Sequence, residues 1–292
     1  MSGGGSFGAF EAGVLARMLE QQPGLDYDFM LGVSAGSLNA GYLSLYPTGP
    51  AGFAQGVQKL KEMWETTKTT DVWLPRFHPL KGEPSVLSTA PLEKLLDRIL
   101  DGKSVQRKVT IGSTDLSTGA TARHDEDQLS VQPNLLLRAT SAIPIVFPPV
   151  VVNGSRHVDG GNSANVLTVH GIDRCDERAK ASGATQPPTI QVDVILAETT
   201  IPQVPPKETT EWDLKQLALR EFQIAKKQLF DHQLRFRCPP GVSSRITMTL
   251  RMPKGVIQPG ELAILDFDKG GDIWQVGYNT SRVTTTSFPF CL

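Results

Sequence analysis

Gly32-Val33-Ser34-Ala35-Gly36 stands where a short apolar run, Phe29-Met30-Leu31, gives way to a helix-like segment over residues 35–46. A serine at a strand-to-helix turn is held on a sharp bend, and glycines two residues to either side leave room for the bend and for an approaching carbonyl. The context makes Ser34 a candidate nucleophile on an α/β scaffold. Alone, G-x-S-x-G also describes an ordinary turn, so the reading rests on the motif's surroundings.

Upstream, Gly3-Gly4-Gly5-Ser6-Phe7-Gly8 precedes a helical pattern in which Phe10, Val14, Leu15 and Met18 share one face. Such glycines let backbone N–H groups point at an anion or oxyanion near a helix N-terminus. The same six residues fit G-x-G-x-x-G, with Asp26 or Asp28 about 20 residues on as a ribose partner, so a dinucleotide-binding domain is a rival. A glycine-rich turn normally follows a strand, and little chain precedes this one; the expectation is that an initial strand is missing or trimmed.

At 292 residues and 39% hydrophobic, the chain can bury a large core. Its 29 basic and 30 acidic residues leave no electrostatic footprint for nucleic acid or for strong attraction to anionic membranes. Cys175, Cys238 and Cys291 form no C-x-x-C pair, so neither a disulfide framework nor a zinc site is suggested. No transmembrane run or signal peptide is visible, which points to a cytoplasmic protein; any lipid contact would be local and apolar.

Downstream, residues 53–68 and the segment after Pro91 read as core helices, and residues 109–113 as a strand. Residues 71–88 lose periodicity while keeping Trp73, Leu74, Phe77, His78, Leu80 and Val86, the composition of a lid or of a loop draped on the core. Residues 145–152 read as extended, and Asn153-Gly154 as a type I′ hairpin turn returning to Asp159-Gly160-Gly161. Such a hairpin presents the Asp159 carboxylate to a cleft. Residues 171–188 read as a polar surface connection, 190–196 and 245–252 as strands, and 212–234 as a long helix. The tail from Pro253 reads as irregular, with one short helix near 272–278.

The order Gly3-Gly4-Gly5-Ser6-Phe7-Gly8, Gly32-Val33-Ser34-Ala35-Gly36, Asp159-Gly160-Gly161 resembles the patatin-like phospholipase family. Ala139-Thr140-Ser141-Ala142-Ile143-Pro144, with Phe147-Pro148-Pro149 after it, resembles that family's segment ahead of its aspartate. The likeness runs from residue 3 to about 166. It implies a single catalytic domain over residues 1–292, a three-layer α/β/α fold with a central, mostly parallel sheet, and hydrolysis of lipid acyl esters without cofactor or metal. It also implies Ser34 as nucleophile, Asp159 as base in a dyad without histidine, and backbone N–H groups of Gly3, Gly4 and Gly5 as the oxyanion hole. A free aspartate, of pKa ~3.9, is a weak base for a hydroxyl, so the dyad would need direct contact and desolvation. One departure stands out: Phe7 occupies the place where the family usually carries a basic residue.

A Ser-His-Asp α/β-hydrolase shares the elbow motif, and His157, on the same side of its strand as Asp159, is its nearest helper. That fold places several strands before its nucleophile, and Ser34 has room for one or two. A non-catalytic lipid-binding module is the third reading. The expected partner is a lipid or other acyl ester, with peripheral membrane contact and no nucleic acid.

Overall fold

In the computed structural model, residues 1–76, 84–197, 212–233, 245–258 and 263–289 are described. The glycine-rich start forms a single 3-10 turn, Gly5–Phe7, that runs directly into helix α1 (Gly8–Gln21). Strand β1 (Met30–Val33) ends at Ser34, which begins α2 (Ala35–Leu43). Gly49 at φ 97° and Pro50 at the first helical position start α3 (Pro50–Thr66). Short α4 (Thr69–Val72), β2 (Leu74–Pro75) and β3 (Leu87–Ser88) lead to α5 (Ala90–Leu100). Of the expected lid, 71–76 and 84–88 carry the β2–β3 ladder, and Phe77, His78 and Leu80 lie outside the described residues.

The middle of the chain supplies β4 (Val109–Asp115), β5 (Thr121–Asp125), α6 (Glu126–Val131), α7 (Pro133–Thr140), β6 (Val150–Val152) and β7 (Ser155–Asp159). Residues 168–181, largely within the expected surface connection, instead form α8 (Thr168–Ala181). Its apolar face is short, with Ile172 buried, and its polar side is held by Arg174 on Glu126 and Arg245 on Asp176. Strand β8 (Ile190–Ile195), helix α9 (Leu214–Gln233), strand β9 (Ile246–Pro253), helix α10 (Gly270–Tyr278) and strand β10 (Val283–Pro289) complete the order. Cys238 and Cys291 lie outside the described residues.

The two central pairings are parallel, β1 with β4 and β8 with β9; antiparallel β5, β6, β7 and β10 flank them. Met1 and Ser2 bridge the two groups, for the Met1 ammonium donates to Leu31 C=O and Ser2 N–H to Ile195 C=O. Helices surround this mixed sheet. One large apolar cluster joins α1, α2, α3, α5 and α7 through Phe10, Leu43, Phe53, Leu60, Trp64, Leu96 and Leu137. Burying each such side chain contributes roughly 1.5–3 kcal/mol. Among the described residues, no helix is long and apolar enough to cross a membrane.

Strand β4 sets the register of the two motif-bearing strands. Its partners β1 and β7 share one edge and run toward each other, with Val33 opposite Gly112 and Asp159 opposite Ser113. The ends of two strands distant in sequence therefore meet at consecutive rungs of a third.

Candidate active site

Ser34 follows Val33 with φ 53° and ψ −123°, a left-handed conformation that a non-glycine residue adopts at a cost. Both motif glycines are needed for the bend. A Cβ on Gly32 would meet the Gly36 carbonyl at 2.2 Å, and one on Gly36 would meet the Met1 carbonyl at 2.6 Å. The Ser34 N–H donates to Thr140 Oγ1 at 3.0 Å, and Thr140 Oγ1 in turn donates to Gly112 C=O on β4. Ser37 Oγ lies 2.8 Å from the same Thr140 oxygen. The elbow is thus tied to the sheet through the end of α7.

Ser34 Oγ donates to Asp159 Oδ2 at 2.6 Å, and Asp159 is completely buried. The other carboxylate oxygen, Oδ1, accepts from Gly161 N–H at 2.8 Å. Backbone bonds fix the residue from both sides: its N–H donates to Ala142 C=O and its C=O accepts from Thr114 Oγ1. Gly160 lets the chain leave across the β1–β7 junction, where a Cβ would lie 2.3 Å from Gly112 O.

The glycine loop packs on the same serine. A Cβ added to Gly3 would come within 3.0 Å of Ser34 Cβ and 3.7 Å of its Oγ. Gly3 N–H donates to Asn165 Oδ1 at 3.1 Å. Gly5, at φ 57°, lies against the Ile264 carbonyl, which a Cβ would meet at 2.1 Å. Gly4 and Gly5 N–H groups make no hydrogen bond to the described residues, which distinguishes them from Gly3. Phe7 is buried at 4% exposure, so an apolar contact takes the place of the basic residue that the resemblance implies there.

His124, His157 and His170 bond groups other than the dyad. His157 Nδ1 and His124 Nε2 each lie 2.9 Å from Ser113 Oγ, the residue opposite Asp159 in the β4–β7 register. Burial lowers both imidazoles below the usual histidine value. His157 thus shares the face of Asp159, as its strand position implies, but its ring bonds Ser113. His170 bonds Arg123, and His78 lies outside the described residues. Asp26 and Asp28, the carboxylates a dinucleotide reading needed, pair with Arg107 and Arg178 and do not bond the glycine loop.

Three polar side chains of the site carried no motif of their own in sequence: Thr140, Asn165 and Glu11. The first lies inside the 139–144 segment, the second just beyond Asp159-Gly160-Gly161, and the third inside α1.

The fold and site together define an α/β protein whose buried serine–aspartate pair sits at converging strand ends. The family model described as patatin-like phospholipase matches residues 1–170, more than half of the 292-residue chain, and the chain belongs to that family. Its general chemistry is lipid acyl hydrolysis. No curated protein matches. Among solved structures, VipD from Legionella pneumophila is similar at 11% identity and a TM-score of 0.37, over 98% of this chain and 67% of that one.

Proposed function

We propose that the chain is a serine acyl-ester hydrolase acting on lipids, with Ser34 and Asp159 as a catalytic dyad. The observation that carries this reading is the 2.6 Å bond from Ser34 Oγ to a buried Asp159 whose second oxygen is already occupied by Gly161 N–H. One oxygen is held still while the other faces the hydroxyl, the arrangement of a general base.

As Ser34 Oγ attacks the ester carbonyl, its proton passes to Asp159 Oδ2 and the carbonyl oxygen becomes an oxyanion. The Gly4 and Gly5 N–H groups are its donors, and losing one such donor typically costs ~100- to 1,000-fold in rate. Gly3 contributes by lacking a side chain beside the nucleophile. Collapse expels the alcohol, which takes the proton from Asp159, and leaves an acyl-Ser34 ester. Water then attacks with Asp159 again as base, releasing the acid and restoring the serine.

The test is hydrolysis of p-nitrophenyl esters from short to long acyl chains by the parent, Ser34→Ala and Asp159→Asn proteins. Loss of at least ~1,000-fold in kcat in both folded variants is expected. A fully active Asp159→Asn would return the histidine-based reading, and an inert parent the non-catalytic one.

A further inference from the structure

Glu11 is a fully buried carboxylate that the dyad chemistry does not use. Its Oε1 accepts from Ser2 N–H at 2.7 Å, a donor shared with Ile195 C=O at 3.1 Å, and its Oε2 accepts from Asn39 Nδ2 at 3.0 Å. Ser2 immediately precedes the glycine loop, and its carbonyl accepts from Gly36 N–H. Asn39 lies on α2, the helix that starts at Ser34. Its remaining amide capacity is also committed, for Nδ2 donates to Gly8 C=O at 2.9 Å and Oδ1 accepts from Trp64 Nε1 at 2.9 Å.

This network leaves no freedom in donor and acceptor roles. Asn39 cannot turn over without setting an N–H against the indole N–H of Trp64, and a backbone N–H cannot change role at all. Glu11 must therefore offer an acceptor on each oxygen, and the ionised carboxylate does so without introducing a donor. A neutral carboxyl keeps only a weaker acceptor on its hydroxyl oxygen and adds an O–H that neither Ser2 N–H nor Asn39 Nδ2 can accept, and a glutamine sets an N–H against one of them.

We propose that Glu11 is a positioning residue whose ionised carboxylate clasps Ser2 to Asn39, and so holds the Gly3–Gly5 loop in register with Ser34. The proposal rests on the acyl-hydrolase reading of the site. Burial pushes the Glu11 carboxyl up to about 7, while the Met1 ammonium, Ser2 N–H and Asn39 amide oppose that shift. Among the described residues the charged group acting on it is the Met1 ammonium, whose own titration burial lowers; α2 and α3 present the neutral Asn39 and Trp64. The clasp therefore loosens as pH falls through the neutral range.

The experiment measures kcat and KM for a p-nitrophenyl ester between pH 5 and 9 in the parent, Glu11→Gln and Asn39→Ala proteins, alongside fluorophosphonate labelling of Ser34. The parent is expected to show a limb in kcat near pH 7. Glu11→Gln is expected to lack that limb and to sit about tenfold lower at pH 8, with KM within about threefold. Asn39→Ala removes a hydrogen bond to the carboxylate and is expected to move the limb to higher pH. Glu11→Gln within twofold of the parent, a loss with the limb unmoved, or a limb that Asn39→Ala does not shift overturns the proposal. A parent that neither labels nor hydrolyses overturns the underlying hydrolase reading instead.

Discussion

A serine at φ 53° carries about 1–3 kcal/mol of backbone strain, and its neighbours hold it there. Thr140 is the most telling of them, because one hydroxyl serves Ser34 N–H, Ser37 Oγ and Gly112 C=O at once. Thr140→Val keeps the shape and removes all three bonds. Leaving the buried Ser34 N–H without an acceptor costs about 1–3 kcal/mol, so a Tm lower by several degrees and a kcat reduced about tenfold are expected, read by thermal unfolding and ester hydrolysis. Gly3→Ala tests the opposite side of the serine: a methyl 3.0 Å from Ser34 Cβ and 2.9 Å from Asn165 Oδ1 is expected to leave the protein folded but to slow fluorophosphonate labelling of Ser34 at least tenfold. Unchanged labelling would show that the loop does not crowd the nucleophile. Ser34 and Asp159 were legible in sequence because glycines mark a bend wherever it occurs. Thr140 and Asn165 were not, since a threonine acquires such a role only from the register that brings residue 140 to residue 34.

At the scale of elements, strand β4 brings the ends of β1 and β7 together, and it does so over a buried polar cluster. Ser113 bridges His124 of β5 and His157 of β7, whose rings lie 5.9 Å apart. One hydroxyl can donate to one ring and accept from the other only while the rings are not both protonated. Burial depresses both folded-state values below the unfolded value, so the unfolded chain binds more protons, and this contribution is present above about pH 6.5 and lost as pH falls. Because Glu11, raised to about 7, acts in the opposite sense over the same range, the readout is a difference: between pH 5 and 7.5 the Tm of the parent relative to His157→Asn is expected to fall toward acid, and equal slopes would assign the acid sensitivity elsewhere. Element reading from sequence succeeded where turn chemistry was local. Asn153-Gly154 closes the β6–β7 hairpin, and the expected helix near 272–278 is α10. It failed where tertiary partners decide. Helix α8 buries too few apolar residues to display a period, β10 lies along the edge that β9 offers although its Val283-Thr284-Thr285-Thr286 run is itself β-branched, and of the extended run 145–152 only Val150–Val152 is strand, with Ile145 at φ 67°.

At the scale of the molecule, the issue is how the glycine loop is held in place and what its anchoring implies for the substrate. With Phe7 packed into the main apolar cluster, the loop is anchored by burial and by the Ser2–Glu11 bond. The chain as a whole, with 29 basic and 30 acidic residues, supplies no long-range attraction to an anionic headgroup. On the proposed reading, the expectation is that a phosphate gains little from binding here and that the acyl chain provides most of the recognition through apolar contact. We predict a broad acyl-ester hydrolase, with neutral glycerides turned over at least as fast as phosphatidylcholine of the same acyl chains and rates changing less than twofold between low and moderate salt. Parallel kcat/KM measurements on matched mixed micelles decide it. Much faster turnover of the phospholipid, or a steep fall of its rate with salt, would mean that a cationic headgroup contact exists and that the loss of the usual basic residue at position 7 has been made good elsewhere in the fold.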